Sequence, residues 1–140
     1  MEAAEKVEAA FKELGFTAES KQVADQIMAY EIAVDPDEDI YLTGMLVTEE
    51  EESDFRLLAF VDELDQEKAL DQLKAVMGLN GELPAGAYCM DPFEDIIYAT
   101  VNIRFAEFSA AKLASAVELL LFAQNVYDQE FYPTKEDAKA

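Results

Sequence analysis

The sequence predicts an α+β fold in which an antiparallel sheet carries helices mainly on one face. Three observations lead there. Between Asp91 and Pro133 an alternating strand runs into a long helical pattern. Upstream, three alternating segments are joined by short loops, the pattern of an antiparallel meander. Two shorter helical stripes, near the start and in the middle, each show a single apolar side. The expected order is α-β-β-β-α-β-β-α.

The first helix spans about Ala3 to Leu14, where Ala3, Val7, Ala10, Phe11 and Leu14 form one stripe. Gly15 stands where a helix C′ glycine belongs. Gly15 to Gln26 is expected to hold a connection and the beginning of a strand. From Ile27 alternation is clear, with Met28, Tyr30, Ile32 and Val34 on one face and Glu31 opposite. Asp35-Pro36-Asp37-Glu38-Asp39 is turn chemistry, because proline presets φ and aspartate bonds the local backbone. A strand from Ile40 to Thr48 places Ile40, Leu42, Gly44 and Leu46 together; the charged run from Glu49 to Asp54 ends it, and Phe55 to Val61 forms the next.

Asp65 is the expected cap of a second helix, Gln66 to Met77, with Ala69, Leu70, Leu73, Val76 and Met77 as its apolar side and Gly78 as its stop. After a turn-rich connector, Ala87 to Met90 pairs with the following strand through the turn Asp91–Asp95. That strand sets Ile97, Ala99, Val101, Ile103 and Phe105 against Tyr98, Thr100, Asn102 and Arg104. Ser109 caps the last helix, whose residues Leu113, Val117, Leu120, Leu121 and Gln124 share a side.

A chain of 140 residues is expected to form one domain, here 1–133, with 134–140 as a frayed tail. With 51% hydrophobic residues it is not a disordered polymer. The formal net charge of −21 argues against binding nucleic acid or an anionic membrane, since both require cations facing phosphates. The lone cysteine, Cys89, has no disulfide partner. The N-terminus lacks signal-peptide character, and no apolar run approaches the roughly 20 residues of a membrane span, so the expected location is the cytoplasm.

Catalysis finds little support. The chain has no histidine, which removes the commonest general base and the usual partner of a serine or cysteine nucleophile. Cys89 reads as a buried structural thiol. Gly78, Gly81 and Gly86 lack the spacing of a phosphate loop, and no Cys/His set suits zinc. The Asp35–Asp39 run resembles the start of a calcium loop, but Ile40 replaces the required glycine and Leu46 the closing glutamate. A solvated turn is expected there. The Glu49–Asp54 run reads as a loop that keeps edges apart. No enzyme activity, cofactor or metal is expected.

The informative residues lie opposite the core-facing ones: Tyr41, Met45, Val47, Leu58, Phe60 and Tyr98. If the helices cover one sheet face only, these form an apolar and aromatic patch of the kind that marks an interface. If a helix covers this face as well, they are core.

Several local sequences carry a family likeness: Gly78-Leu79-Asn80, then Leu83-Pro84-Ala85-Gly86-Ala87-Tyr88, the Asp91-Pro92 turn, the Ile96–Phe105 strand and the ending Phe131-Tyr132-Pro133. Through these the chain resembles the type III secretion chaperone-like proteins, including the Tir-chaperone group and YbjN-type proteins, over about Phe55 to Pro133. The resemblance implies a small acidic α+β homodimer that binds another polypeptide on apolar patches and catalyses nothing. The chain departs from the group in its extreme charge. The leading expectation is therefore a chaperone- or adaptor-like binding module with a client or regulatory polypeptide as partner. The alternative is an acidic inhibitor, an immunity-type or nucleic-acid-mimic protein that blocks a basic site.

Overall fold

The computed structural model describes residues 2–48, 53–91 and 93–132. The acidic run Glu49–Glu52 and the tail 134–140 lie outside the described residues. The elements are α1 (Glu2–Glu13), β1 (Thr17–Ala24), β2 (Ile27–Asp35), β3 (Ile40–Thr48), β4 (Ser53–Glu63), α2 (Ala69–Asn80), β5 (Ala87–Asp91), β6 (Ile96–Arg104) and α3 (Ala110–Phe131). The strands form an antiparallel sheet in the order β1-β2-β3-β4-β6-β5. The α+β class is as expected, with one more strand than the sequence pattern reveals. That strand is β1, in the stretch before Gln26. All eight of its residues are exposed, so it carries no burial alternation to detect.

The chain divides into two compact units, Met1–Leu58 with Val101–Glu118, and Ala59–Thr100 with Leu119–Ala140. In the first unit, Tyr30, Ile32, Leu42, Leu46, Phe55 and Leu57 alternate along β2, β3 and β4 and are buried. Val7, Ala10 and Phe11 of α1 are buried with them. Gly15, at φ 78°, ends α1 as expected: its N–H reaches Lys12 O and the Phe16 N–H reaches Phe11 O, the paired bonds of a Schellman turn. Phe55 is fully buried, its ring centre 5.9 Å from that of Phe11, 6.1 Å from Tyr30 and 5.6 Å from Phe108. It fits because position 44 has no side chain: a Cβ on Gly44 would lie 2.7 Å from the Phe55 ring. Ser109 caps α3, its Oγ accepting from the Lys112 N–H at 3.1 Å. Between β2 and β3, Asp35 Oδ1 accepts from the Glu38 N–H and Asp39 turns at φ 59°, a local hairpin turn.

In the second unit, Ala59 and Val61 of β4, Tyr88 of β5, and Ile97 and Ala99 of β6 are buried together with α2 and α3 residues Val76, Leu79, Leu120, Ala123 and Tyr127. The β5–β6 hairpin runs from Ala87 opposite Thr100 to Asp91 opposite Ile96. Its turn is held by Asp91 Oδ1, which accepts from the N–H groups of Phe93 and Glu94.

Helix α2 departs from expectation at both ends. It starts at Ala69, because Asp65 is occupied in a preceding turn where its Oδ1 accepts from the Glu67 N–H. It also continues through Gly78 to Asn80. Leu79 is buried, and the Asn80 side chain donates to Tyr88 O at 3.3 Å while accepting from the Tyr88 N–H at 2.7 Å. Those contacts outweigh the cost of a mid-helix glycine, about 1 kcal/mol. The buried side is Gln72, Val76 and Leu79, whereas Leu70 and Met77 are 66% and 75% exposed.

Two glycines therefore respond oppositely to the same change. Gly78 is exposed and nothing lies within 4 Å of a Cβ there, so Gly78→Ala raises unfolding stability by about 0.5–1 kcal/mol. Gly44→Ala forces a fully buried ring to shift and lowers stability by about 1–3 kcal/mol. Urea unfolding of both variants, with unchanged denaturant slopes, is the measurement.

Candidate polypeptide-binding face

In the first unit the same alternation that buries one sheet face leaves Tyr41, Met45, Val47 and Leu58 on the other. Tyr41 is 45% exposed and the other three are half-buried. The strand register shows what surrounds them. Thr17, Ala33 and Tyr41 form one row across β1, β2 and β3. Glu19, Glu31, Thr43 and Leu58 form the next, extended onto β4. Lys21, Ala29, Met45 and Arg56 follow. Ile27 and Val47 lead to Asp54. The face is thus not the continuous apolar patch expected from β3 and β4 alone. Charged side chains interrupt it, and a shallow depression of about 220 Å³ lies among Thr17, Glu19, Glu31, Ala33 and Tyr41.

Glu19 and Glu31 stand directly opposite each other, an arrangement that costs stability in an antiparallel pair. Lys21, two residues along β1, is the nearest cation in register. Cross-strand pairing is invisible to a reading of single strands, which is why the sequence exposed the apolar members of this face and missed its charges.

In the second unit, Phe60 is 54% exposed and Tyr98 half-buried. Tyr98 lies opposite Cys89, which is half-buried and not the buried thiol expected. Cys89 falls between buried Tyr88 and exposed Met90 on a strand at the end of the sheet, where cover is thinner.

The same unit holds a polar cluster that sequence patterning missed. Asp62 Oδ2 accepts from Gln72 Nε2 at 3.0 Å, from the Tyr127 hydroxyl at 2.9 Å and from the Tyr132 hydroxyl at 2.8 Å. Asp62 Oδ1 accepts from the Glu63 N–H at 2.8 Å. Fully buried Gln72 also donates to Glu63 O at 2.8 Å and accepts from the Asp65 N–H at 2.9 Å. These groups are occupied with one another, and their effect is to tie α2 and the last turn of α3 to the end of β4. Gln72 sits at helical spacing from Val76 and Leu79, which was the available signal. Among the described residues, no group of three or more His, Cys, Asp or Glu side chains is placed to hold a metal. No helix among them is long and apolar enough to cross a membrane.

No family model matches the chain. No curated protein matches it either. Among solved structures it is similar to the crystal structure of an uncharacterized protein from Methanothermobacter thermautotrophicus. The likeness has a TM-score of 0.69 at 14% sequence identity and covers 91% of this chain and 95% of that one. At that identity the likeness establishes a shared fold.

The tyrosines make the fold sensitive to alkali. Burial pushes the hydroxyls of Tyr30 and Tyr88 up to about 12, and the hydrogen bond to Asp62 does the same for Tyr132. Tyr127 is raised further, first by burial. The folded state therefore holds these protons more tightly than the unfolded chain, which releases them near 10.0. Their contribution to stability is complete below pH 10 and is lost as pH rises through about 12. In a Tyr41→Phe/Tyr98→Phe variant, which leaves these four tyrosines, tyrosinate absorbance and far-ultraviolet circular dichroism are expected to change together over that range. Early tyrosinate formation in a folded protein would contradict this.

Proposed function

We propose that this chain is a non-enzymatic, acidic protein-binding module, chaperone- or adaptor-like. It works in the cytoplasm as a homodimer and holds a segment of a partner polypeptide against an uncovered sheet face. The observation that carries this reading is Tyr41, 45% exposed beside half-buried Ala33, on the strand face that carries half-buried Met45 and Val47 further along and is bordered by charge. Tyrosine and methionine beside polar rims are typical anchors of protein interfaces. An extended segment lying along β3 would place alternate side chains on these apolar positions. The resemblance to type III secretion chaperone-like proteins supports the same reading, since that group binds polypeptides in extended form.

The facing pair Glu19 and Glu31 favours a second reading, an acidic inhibitor that blocks a basic site. Salt separates the two. Binding through paired carboxylates weakens steeply as salt rises, whereas binding through Tyr41 and Met45 changes little.

The test is a pull-down from the native organism, followed by affinity measurement with the captured protein. Tyr41→Asp and Met45→Asp are expected to weaken that affinity at least tenfold. Each should shift unfolding stability by no more than about 1 kcal/mol, because Tyr41 is exposed and Met45 only half-buried. Unchanged affinity in both variants would remove this face from the function.

A further inference from the structure

Among the described residues, strand β1 ends the sheet, pairs with β2 alone and is exposed along its whole length. No other strand among the described residues takes up the backbone donors and acceptors of its outer edge, which native proteins cover or guard. Three of its central residues, Glu19, Ser20 and Lys21, decide what can cover it.

Two copies of a strand related by a two-fold axis pair antiparallel, with the axis passing through one residue facing its own counterpart. A shift by a single position is excluded, because neighbouring residues point their backbone groups to opposite sides. Four registers pair five or more of its eight residues, centred on Glu19, Ser20, Lys21 or Gln22. The last of these sets Lys21 opposite Val23 and depends on residues past the register break that follows Gln22. Centring on Glu19 sets glutamate against glutamate, and centring on Lys21 sets lysine against lysine. Centring on Ser20 sets Glu19 opposite Lys21 of the second copy, and Lys21 opposite its Glu19.

We propose that β1 is the homodimer edge, joined antiparallel to a second copy of this chain with the two-fold axis at Ser20. The inference rests on the homodimer of the proposed function and names where its copies meet. It also accounts for the like-charged pair Glu19 and Glu31, which gains Lys21 of the second copy as a direct neighbour of Glu19. The ladder runs from Ala18 to Gln22. Beyond it the β1–β2 register breaks between Gln22 and Ala24, and such a bulge turns an edge away from further pairing. Two-fold pairing uses the β1 edge of both copies, so the product is a closed pair. The like-charge penalty disfavours the registers centred on Glu19 and Lys21.

Sedimentation equilibrium of the full chain, at about 0.15 M salt where distant charges are screened, is the first measurement. Wild type is expected to show a reversible dimer. Lys21→Glu alone and Glu19→Lys alone each replace two attractive cross-strand pairs by two repulsive ones, so each raises the dimer dissociation constant by about tenfold or more. Mixing the two variants in equal amounts restores a dimer, and the double variant Glu19→Lys/Lys21→Glu restores a homodimer. Circular dichroism verifies folding. Because a single reversal also alters charge near Glu31, Ser20→Cys in a Cys89→Ser background supplies an independent arm: mild oxidation should yield a covalent dimer through position 20. A chain that stays monomeric at all concentrations overturns the proposal. A dimer indifferent to both single reversals also overturns it, while leaving the homodimer itself standing. Capture of an extended peptide by β1 with no self-association would do the same to the second copy as occupant. Loss of polypeptide binding on the Tyr41 face is read separately and does not bear on β1.

Discussion

The ring of Phe55 lies against Gly44, and the first unit is arranged around that contact. A strand in a half-buried sheet normally presents a side chain at every second core position. Here one such position is empty, and the ring from the neighbouring strand occupies the space. Phe11 from α1, Tyr30 from β2 and Phe108 from the turn before α3 then meet the same ring at tilted or edge-on angles. Edge-to-face contacts of this kind add to the burial of each ring. The spacing of α1, the register of β2 on β3 and the start of α3 are thereby bound to one side chain. Truncating a ring so placed typically costs about 3–5 kcal/mol, a large part of a small protein's stability.

The second unit is arranged around a polar centre. Asp62 gathers Gln72, Tyr127 and Tyr132, and Gln72 reaches onward to the backbone at Glu63 and Asp65. A buried amide without partners would destabilise the unit by a few kcal/mol, so the network holds together as a whole. Tyr88 adds a second tie through its hydroxyl to Ala123 O at 2.6 Å. The tyrosines are consequently structural groups whose protons are held by burial and by acceptors. Their role in this unit is to fix two helices against strands.

What could be read from the sequence follows the same physics. Strand β3 matches its alternation from Ile40 to Thr48, and β6 nearly so, because one buried face leaves a period of two. The turn at Asp35–Asp39, the glycine end of α1 and the Ser109 cap were legible because each is decided by local backbone chemistry. Helix α2 departs from its hydrophobic pattern because hydrophobicity and burial part company there: Leu70 and Met77 face solvent, while Gln72 is buried by hydrogen bonds that no periodicity encodes. Strand β1 leaves no trace in the pattern for the opposite reason, since a strand exposed on both sides has no alternation. At the candidate site, strand phase sets Tyr41 and Phe60 opposite the core-facing residues but leaves open whether a helix covers them; both are exposed. Their charged neighbours depend on the register between strands, which strand phase does not give.

That register changes the meaning of the −21 charge. A surface so acidic opposes the approach of another acidic chain, and it does so everywhere unless cations are placed locally. On the open face of the first unit, Lys21 and Arg56 stand at the two ends of the row through Ala29 and Met45, next to the row that begins with Glu19 and Glu31. Rows two residues apart along a strand are separated by roughly 7 Å, within a Debye length at physiological salt. Positive and negative charge therefore offset each other across this face, with Ala29 and Met45 between the two cations. The net charge keeps molecules apart in general. The local pattern selects where, and in which register, one chain can be approached.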